Sequence, residues 1–204
     1  MRAGDALILT KPIGTGTLLA ADMRGKAKAR WVMGAIAQMI QSNGKAADIL
    51  RRHGVHAATD VTGFGLIGHL VEMVRASDVD VTVAIERVPL IEGARETVAM
   101  GILSSLQPQN VRLRRAISEV GSVGRHPLYP LLFDPQTAGG LLAAVPVGAA
   151  RSEVTHACAA LEPVTIDLTG QRLADALAEP DAAAVPTRWR YPLKQPFIDA
   201  KARS

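Results

Sequence analysis

Short apolar runs and longer segments with apolar residues at helical spacing follow one another along the chain. Apolar runs and alternating apolar positions predict strands, and a spacing of three to four residues predicts helices. The predicted strands cover residues 6–10, 55–59, 79–85, 141–145 and 164–168. The predicted helices begin near residue 17 and then cover residues 31–50 with a break at Asn43-Gly44, 65–74, 90–100, 111–120 and 148–161. Because strands and helices are interspersed and at least one pair of strands is adjacent, the pattern predicts an α+β fold with a mixed β-sheet and packed helices.

The character of the chain changes after about residue 170, where four spaced prolines follow. We therefore predict a folded domain at residues 1–170 and a proline-rich basic tail or linker at 171–204. Residues 187–204 hold five basic residues and one acidic residue, which accounts for the whole net charge of +4. The rest of the chain is balanced in charge and lacks the basic surface of a nucleic-acid-binding protein. For the tail aromatics Trp189, Tyr191 and Phe197, docking on the parent protein or a lead into another domain is favoured over stacking on nucleic acid.

Composition narrows the class of protein. Hydrophobic residues make up 48% of the chain and charged residues 21%, which excludes disorder for most of it, and no run of 18 apolar residues predicts a membrane span. Cys158 is the single cysteine, so an intrachain disulfide and a multi-cysteine zinc site are excluded, and we expect its thiol to be buried and inert. The five histidines lack zinc spacing and are expected to be structural. With no secretory signal in the first twenty residues, we expect a cytoplasmic protein.

The segment ATDVTGFGLIGHL, residues 58–70, carries the densest chemical signal. Asp60 ends a predicted strand, Thr62 adds a hydroxyl group, and Gly63 and Gly65 allow close approach of backbone amides to a ligand at the start of a helix. A carboxylate beside such amides can hold a phosphate together with Mg²⁺, which prefers carboxylate and phosphate oxygens. A polar helix cap with glycines that only shape the turn explains the same residues equally well.

The same segment also matches G-x-G-x-x-G at Gly63, Gly65 and Gly68, with Glu86 where a ribose-binding acid could lie. A dinucleotide-binding domain requires a buried parallel strand directly before the first glycine, and polar residues interrupt that run here. An ionised Asp60 would also repel a pyrophosphate unless a cation lay between them. The dinucleotide reading is therefore the weaker alternative.

Two further loops are rich in glycine. KPIGTG, residues 11–16, could hold an anion through Lys11 and its amides, but it lacks the Walker A spacing, and a strand-to-helix turn is the favoured interpretation. DPQTAGG, residues 134–140, is favoured as a tight turn in which Asp134 bonds its own backbone.

Together, GDALILTKPIGTG, ATDVTGFGLIGHL and LFDPQTAGGLL resemble the C-terminal half of selenophosphate synthetase (selenide, water dikinase), and SSLQPQN at residues 104–110 also looks like that family. The resemblance covers about residues 4–168. It departs from the family at Ala138, where serine is common, and in the basic tail. The family belongs to the aminoimidazole ribonucleotide synthetase superfamily, which joins an N-terminal ATP-binding domain to a C-terminal α+β domain.

The resemblance implies the reaction of ATP, selenide and water to selenophosphate, AMP and phosphate, with Mg²⁺ and ATP as cofactors. The aspartate of the family's DVTGFG motif, a magnesium ligand, corresponds to Asp60. Lys11, Thr62 and Gly63 match positions that line the same cleft, and Gly65 completes the predicted phosphate-binding turn. The family's reactive cysteine or selenocysteine and its partner lysine belong to an N-terminal segment that this sequence does not contain, so no catalytic residue is assigned here.

From the resemblance we expect this domain to need an N-terminal ATP-binding partner domain, to be inactive alone, and to form a homodimer at full length. Nucleic acid and membranes are not expected partners. A noncatalytic binding or assembly domain of the same superfamily is the main alternative, and a dinucleotide-binding oxidoreductase module is the second.

Overall fold

The computed structural model describes residues 1–118, 120–147 and 164–166, the last three as backbone only. The strands are β1 (Asp5–Leu9), β2 (Ala57–Asp60), β3 (Leu141–Pro146) and β4 (Val164–Ile166). The α-helices are α1 (Thr15–Met23), α2 (Ala29–Ile40), α3 (Gly44–Arg52), α4 (Gly65–Ser77), α5 (Ala94–Ala99), α6 (Gln107–Asn110) and α7 (Val120–Val123). In the described ranges, 3₁₀ helices lie at Ile85–Arg87, Val111–Ala116 and Tyr129–Phe133.

The four strands form one sheet in the order β2-β3-β1-β4. Each neighbouring pair is antiparallel, and β3 lies between β1 and β2, with Asp5 opposite Pro146 and Asp60 opposite Leu141. The α+β class is confirmed. The mixed pairing that the sequence predicts is limited, in the part of the chain that the structure describes, to one isolated parallel bridge between Ile13 and Leu90.

Both faces of the sheet are covered, which explains why β1 and β3 are almost wholly apolar. Leu7 and Leu9 of β1 face the main core together with α4 and the 3₁₀ helix Tyr129–Phe133. Ala6 and Ile8 point to the opposite face and pack against α3 through Ile49 and Leu50. Because side chains alternate between the faces of a strand, a strand that is buried on both faces has a continuous apolar run.

Two predicted elements are wrong. Residues 79–84 do not form a strand, although Val81, Val83 and Ile85 are buried as the alternation indicates. Alternation reports only that every second side chain is inward, and an unpaired segment covering the core satisfies that condition. The helix predicted at residues 111–120 is instead a 3₁₀ helix that ends where Ile117 takes an extended conformation, with α7 following.

Several predictions fall outside the described residues: the helix at 148–161 with His156 and Cys158, and the basic tail at 171–204. Within the described ranges, no helix is long and apolar enough to cross a membrane.

Candidate functional site

The three glycine-containing motifs meet at one end of the sheet. Because β3 runs antiparallel to both of its neighbours, the ends of β1 and β2 lie beside the start of β3. The Thr10 N–H donates to the Leu141 carbonyl at 2.9 Å, and the Val61 N–H donates to the Gly140 carbonyl at 2.8 Å. The motifs around Lys11, Asp60 and Gln136 therefore form one continuous surface.

Asp134 and Gln136 cap the N-terminus of α1. The Gln136 Oε1 accepts hydrogen bonds from the Gly14 and Thr15 amides at 2.9 and 3.2 Å, and the Asp134 Oδ2 accepts from the Gly16 amide at 3.0 Å. The Gln136 Nε2 in turn donates to the Asp134 carbonyl and Oδ2. The prediction that Asp134 bonds its own backbone is wrong, because its carboxyl bonds the amide of a residue 118 positions away. These amides of KPIGTG have protein acceptors, which agrees with a structural turn there.

Asp134 is a buried carboxyl group, only 2% exposed. Burial raises its pKa from the ordinary value of 3.8 to about 7, against the opposing effect of its hydrogen bonds to Gln136 and to the start of α1. Its Oδ1 has no hydrogen-bond partner among the residues described. The protonated form is therefore favoured in the folded chain at mildly acidic pH.

We expect Asp134→Asn to remove a pH dependence of stability. Because the pKa is raised in the folded state, below about pH 4 the group is protonated in both states, and between about pH 4 and 7 only the unfolded chain releases the proton. The free energy of unfolding of the wild type relative to that of Asp134→Asn should then fall with rising pH by about 1.4 kcal/mol per unit, and level off above about pH 7. Urea unfolding of both proteins across this range measures the difference. A pH-independent difference would show that α1 keeps the carboxylate ionised.

The turn from Thr62 to Gly65 is held by neighbouring segments. The Thr62 carbonyl accepts from the Gly65 amide at 3.1 Å and the Gln136 amide at 3.0 Å. The Asn110 Nδ2 donates to the carbonyls of Gly63 and Phe133, at 2.8 and 3.0 Å. The position of Asn110 explains why SSLQPQN belongs with the other motifs.

Gly65 has a structural requirement of its own. Its φ is +71°, and a Cβ atom there would lie 2.8 Å from the Phe133 carbonyl carbon. Its amide is already used within the turn. Gly65 therefore shapes the turn, and its assignment to cofactor binding stays a prediction.

Lys11 is buried and holds two loops together. Its Nζ donates to the Gln41 carbonyl at 2.7 Å and to the Ala138 carbonyl at 3.0 Å, and burial lowers its pKa. The structure thus gives Lys11 a role in joining the end of α2 to the DPQTAGG loop. Its contact with a ligand also stays a prediction.

We expect Ala138→Gly to raise the free energy of unfolding by about 1 kcal/mol. Ala138 has a φ of +48°, and this backbone region is unfavourable for any residue that has a Cβ atom. Ala37→Gly is the control, since it places glycine on the exposed part of α2 and should lower stability by about 1 kcal/mol. Urea unfolding of both variants measures the two effects. A loss of stability in Ala138→Gly would contradict the strain.

Asp60 and the two amides just before α4 are the part of this surface that is open to a ligand. Asp60 is exposed, and no described residue donates a hydrogen bond to its carboxylate. The Gly63 and Phe64 amides likewise have no acceptor in the described ranges, at the positive end of a 13-residue helix. An unengaged carboxylate fits one ligand position of a hard cation such as Mg²⁺, and free amides fit phosphate oxygens.

The described residues contain no cluster of three or more His, Cys, Asp or Glu that could hold a metal ion by itself. Asp60 therefore fits as a single protein ligand, with phosphate, water and other protein segments completing the shell. A cleft of about 430 Å³ opens beside this surface. It is lined by α1, by Gly63, by the loop at residues 103–106 and by the start of the DPQTAGG loop, with Met23, Arg24 and Leu106 among its side chains.

The sequence did not predict that Asn110, Gln136 and His69 form hydrogen bonds to the turn and to the loops behind it. His69 is 5% exposed, and its Nε2 accepts from the Thr62 amide at 3.0 Å. Its spacing from the start of α4 is a usable signal, because a residue one helical turn along can reach back to the residues before the helix. Asn110 and Gln136 have partners far away in the sequence and carry no local signal.

The dinucleotide-binding alternative conflicts with the observed strand pairing. β2, the strand before Gly63, is antiparallel to β3, whereas the dinucleotide-binding unit needs a parallel strand at this place. Glu86, the proposed ribose ligand, lies in a 3₁₀ helix, 3.4 Å from the Nε2 of His126.

Comparison with known proteins identifies the family. Residues 2–166 match the family described as AIR synthase related protein, C-terminal domain. The chain belongs to this family. Among curated proteins it is similar to selenide, water dikinases: 39% identical over 145 residues to that of Clostridioides difficile, and 38% identical over 167 residues to that of Pelobacter propionicus. These alignments cover 71% and 82% of this chain, but 41% and 47% of the relatives. The resemblance seen in the three motifs is confirmed.

Solved structures support the same fold. The chain is similar to the hydrogenase maturation protein HypE, with a TM-score of 0.56 and 18% identity over 83% of this chain and 45% of that one. It is also similar to AaThiL complexed with AMPPCP and TMP, with a TM-score of 0.51 and 15% identity over 84% of this chain and 47% of that one. The chain thus spans less than half the length of these proteins and of the curated relatives.

Proposed function

We propose that this chain is the C-terminal domain of a selenide, water dikinase and forms one wall of its ATP and phosphate cleft. The observation that supports this most directly is the exposed, unengaged carboxylate of Asp60, followed by the free amides of Gly63 and Phe64 at the start of α4. The similarity to selenide, water dikinases favours the reaction that the motif resemblance implies, in which ATP, selenide and water give selenophosphate, AMP and phosphate.

In this proposal Asp60 is a ligand of Mg²⁺, which when bound offsets the charge of the phosphates. Thr62 and Gly63 line the phosphate side of the cleft. Lys11 and Gly65 contribute by fixing the loops behind it. The reacting nucleophile and most metal ligands belong to an N-terminal domain, so the isolated chain should not form AMP from ATP. Positioning supplies much of the catalysis of phosphoryl transfer, and one wall of a cleft cannot provide it. A homodimer at full length and a cytoplasmic setting are part of the same proposal.

A chimeric enzyme tests the function. Residues 2–166 of this chain replace the matching region of the Clostridioides difficile selenide, water dikinase, and selenide-dependent AMP formation is measured. We expect the chimera to be active, and the relative truncated before that region to be inactive. A chimera that folds with its two halves packed together but shows no turnover would support the noncatalytic assembly domain instead. AMP formation by this chain alone would contradict the proposed division of labour.

A further inference from the structure

His69 holds the backbone immediately before the free amides. It lies in the second turn of α4, with its side chain 93% buried and directed back to the helix start. The Thr62 amide donates to its Nε2 at 3.0 Å, and the Thr62 Oγ1 lies 3.2 Å from the same nitrogen. A ring nitrogen that accepts from a backbone N–H carries no proton, so the neutral ring has its proton on Nδ1.

The other side of the ring lies near Glu72. The Nδ1 is buried and has no hydrogen-bond partner among the described residues, and the Glu72 Oε2 lies 3.7 Å from it. The tautomer is therefore assigned from the Nε2 contact alone. The Phe64 ring covers the imidazole, with ring centroids 5.7 Å apart and planes inclined at 48°. The position of the His69 Nε2 is therefore fixed by α4, which carries the residue, and by the contact with Phe64 in the turn.

Both the N–H group and the carbonyl group of Thr62 are hydrogen-bonded. Its amide is held by His69, while its carbonyl accepts from Gly65 and Gln136. In the described part of the chain, His69 is the only acceptor of the Thr62 amide. Rotation of the preceding peptide group would redirect the backbone between Asp60 and Gly63, which carries both the carboxylate and the first free amide.

We propose that His69 is a positioning residue of the phosphate and metal site, acting through its Nε2 and the Thr62 amide without touching the ligand. This inference rests on the proposed function for the identity of the ligand, but the positioning itself is a property of this chain. A ring that merely filled space would not need an acceptor atom at this point.

The test compares His69→Leu, which removes the acceptor, with His69→Gln, whose side-chain oxygen can replace it. NMR of the full chain gives the imidazole tautomer from ¹⁵N shifts and the hydrogen exchange of the Thr62 amide. Mn²⁺ alone serves as the metal probe, through its broadening of the Gly63 and Phe64 amide signals. His126→Leu is the matched control, because the His126 Nδ1 also accepts a backbone amide, that of Leu128 at 3.2 Å.

We expect the Nδ1–H tautomer in the wild type, and in His69→Leu at least about tenfold faster exchange of the Thr62 amide. The midpoint for Mn²⁺ broadening should rise about fivefold or more in His69→Leu, and return close to the wild-type value in His69→Gln. His126→Leu should keep the wild-type midpoint.

An Nε2–H tautomer, or an unchanged Mn²⁺ midpoint in His69→Leu, would overturn the positioning role. If His69→Leu does not fold, two other measurements decide: the tautomer of the wild-type imidazole and the Mn²⁺ midpoint of His69→Gln. A His69→Gln midpoint as weak as that of Asp60→Asn, which removes the carboxylate ligand itself, would overturn the positioning role. Failure of Mn²⁺ to broaden these signals in the chimeric enzyme, which supplies the other metal ligands, would contradict the metal assignment of the proposed function. The tautomer and the exchange of Thr62 would then still test the hydrogen bond.

Discussion

Asp60→Asn should lower selenide-dependent AMP formation by the chimeric enzyme at least about a hundredfold. The substitution replaces a charged oxygen ligand with a neutral amide of the same size, which binds a hard cation more weakly. Stability should hardly change, because the Asp60 carboxylate is exposed and no described residue donates a hydrogen bond to it. Initial rates at saturating ATP and Mg²⁺, together with the melting temperature, measure the two effects.

Asp48→Asn is the matched control for this loss of charge. Asp48 is also exposed, lies on α3 behind the opposite face of the sheet, and forms an ion pair with Arg51 on the same helix. Removing it should leave turnover within about twofold of the wild type, since exposed ion pairs contribute little. Activity of Asp60→Asn close to that of Asp48→Asn would reduce Asp60 to a turn residue.

The buried strands were predictable because their signal is local. Apart from Asp5, the first residue of β1, the strands β1 and β3 are apolar throughout, as strands covered on both faces must be. The failure at residues 79–84 has the opposite cause, because whether an alternating segment pairs depends on a neighbouring strand edge elsewhere in the chain. The direction in which two strands pair also depends on residues far apart in the chain. The sequence therefore could not show that every neighbouring pair in this sheet is antiparallel.

The candidate site shows the same division. Asp60 and the glycines of its turn stand out in the sequence because a strand, a carboxylate and a helix start follow one another within a few residues. The residues that hold this turn in shape could not be found in that way. Gln136 lies 121 positions from Thr15 and Asn110 lies 47 from Gly63, so only the folded chain brings them together.

Gln136→Leu should lower the free energy of unfolding by about 3–5 kcal/mol. Gln136 is 4% exposed, and its Oε1 accepts from the Gly14 amide, the Thr15 amide and the Thr15 hydroxyl. Leucine has similar volume but leaves buried donors unpaired at the start of α1, and each unpaired buried donor costs about 1–3 kcal/mol. It also removes the donor to Asp134. Urea unfolding measures the loss.

Gln107→Leu separates this effect from the general cost of removing a buried amide side chain. Gln107 is equally buried, at 4% exposure, but its side chain makes one hydrogen bond to the residues that the structure describes, from Nε2 to the Pro130 carbonyl at 3.2 Å. Its replacement leaves a single carbonyl unpaired and should cost about 1–2 kcal/mol. Equal losses in the two variants would mean that the cap on α1 adds nothing beyond ordinary burial. A larger loss in Gln136→Leu, with early exchange of the Gly14 and Thr15 amides, would locate the added stability at the junction of KPIGTG and DPQTAGG.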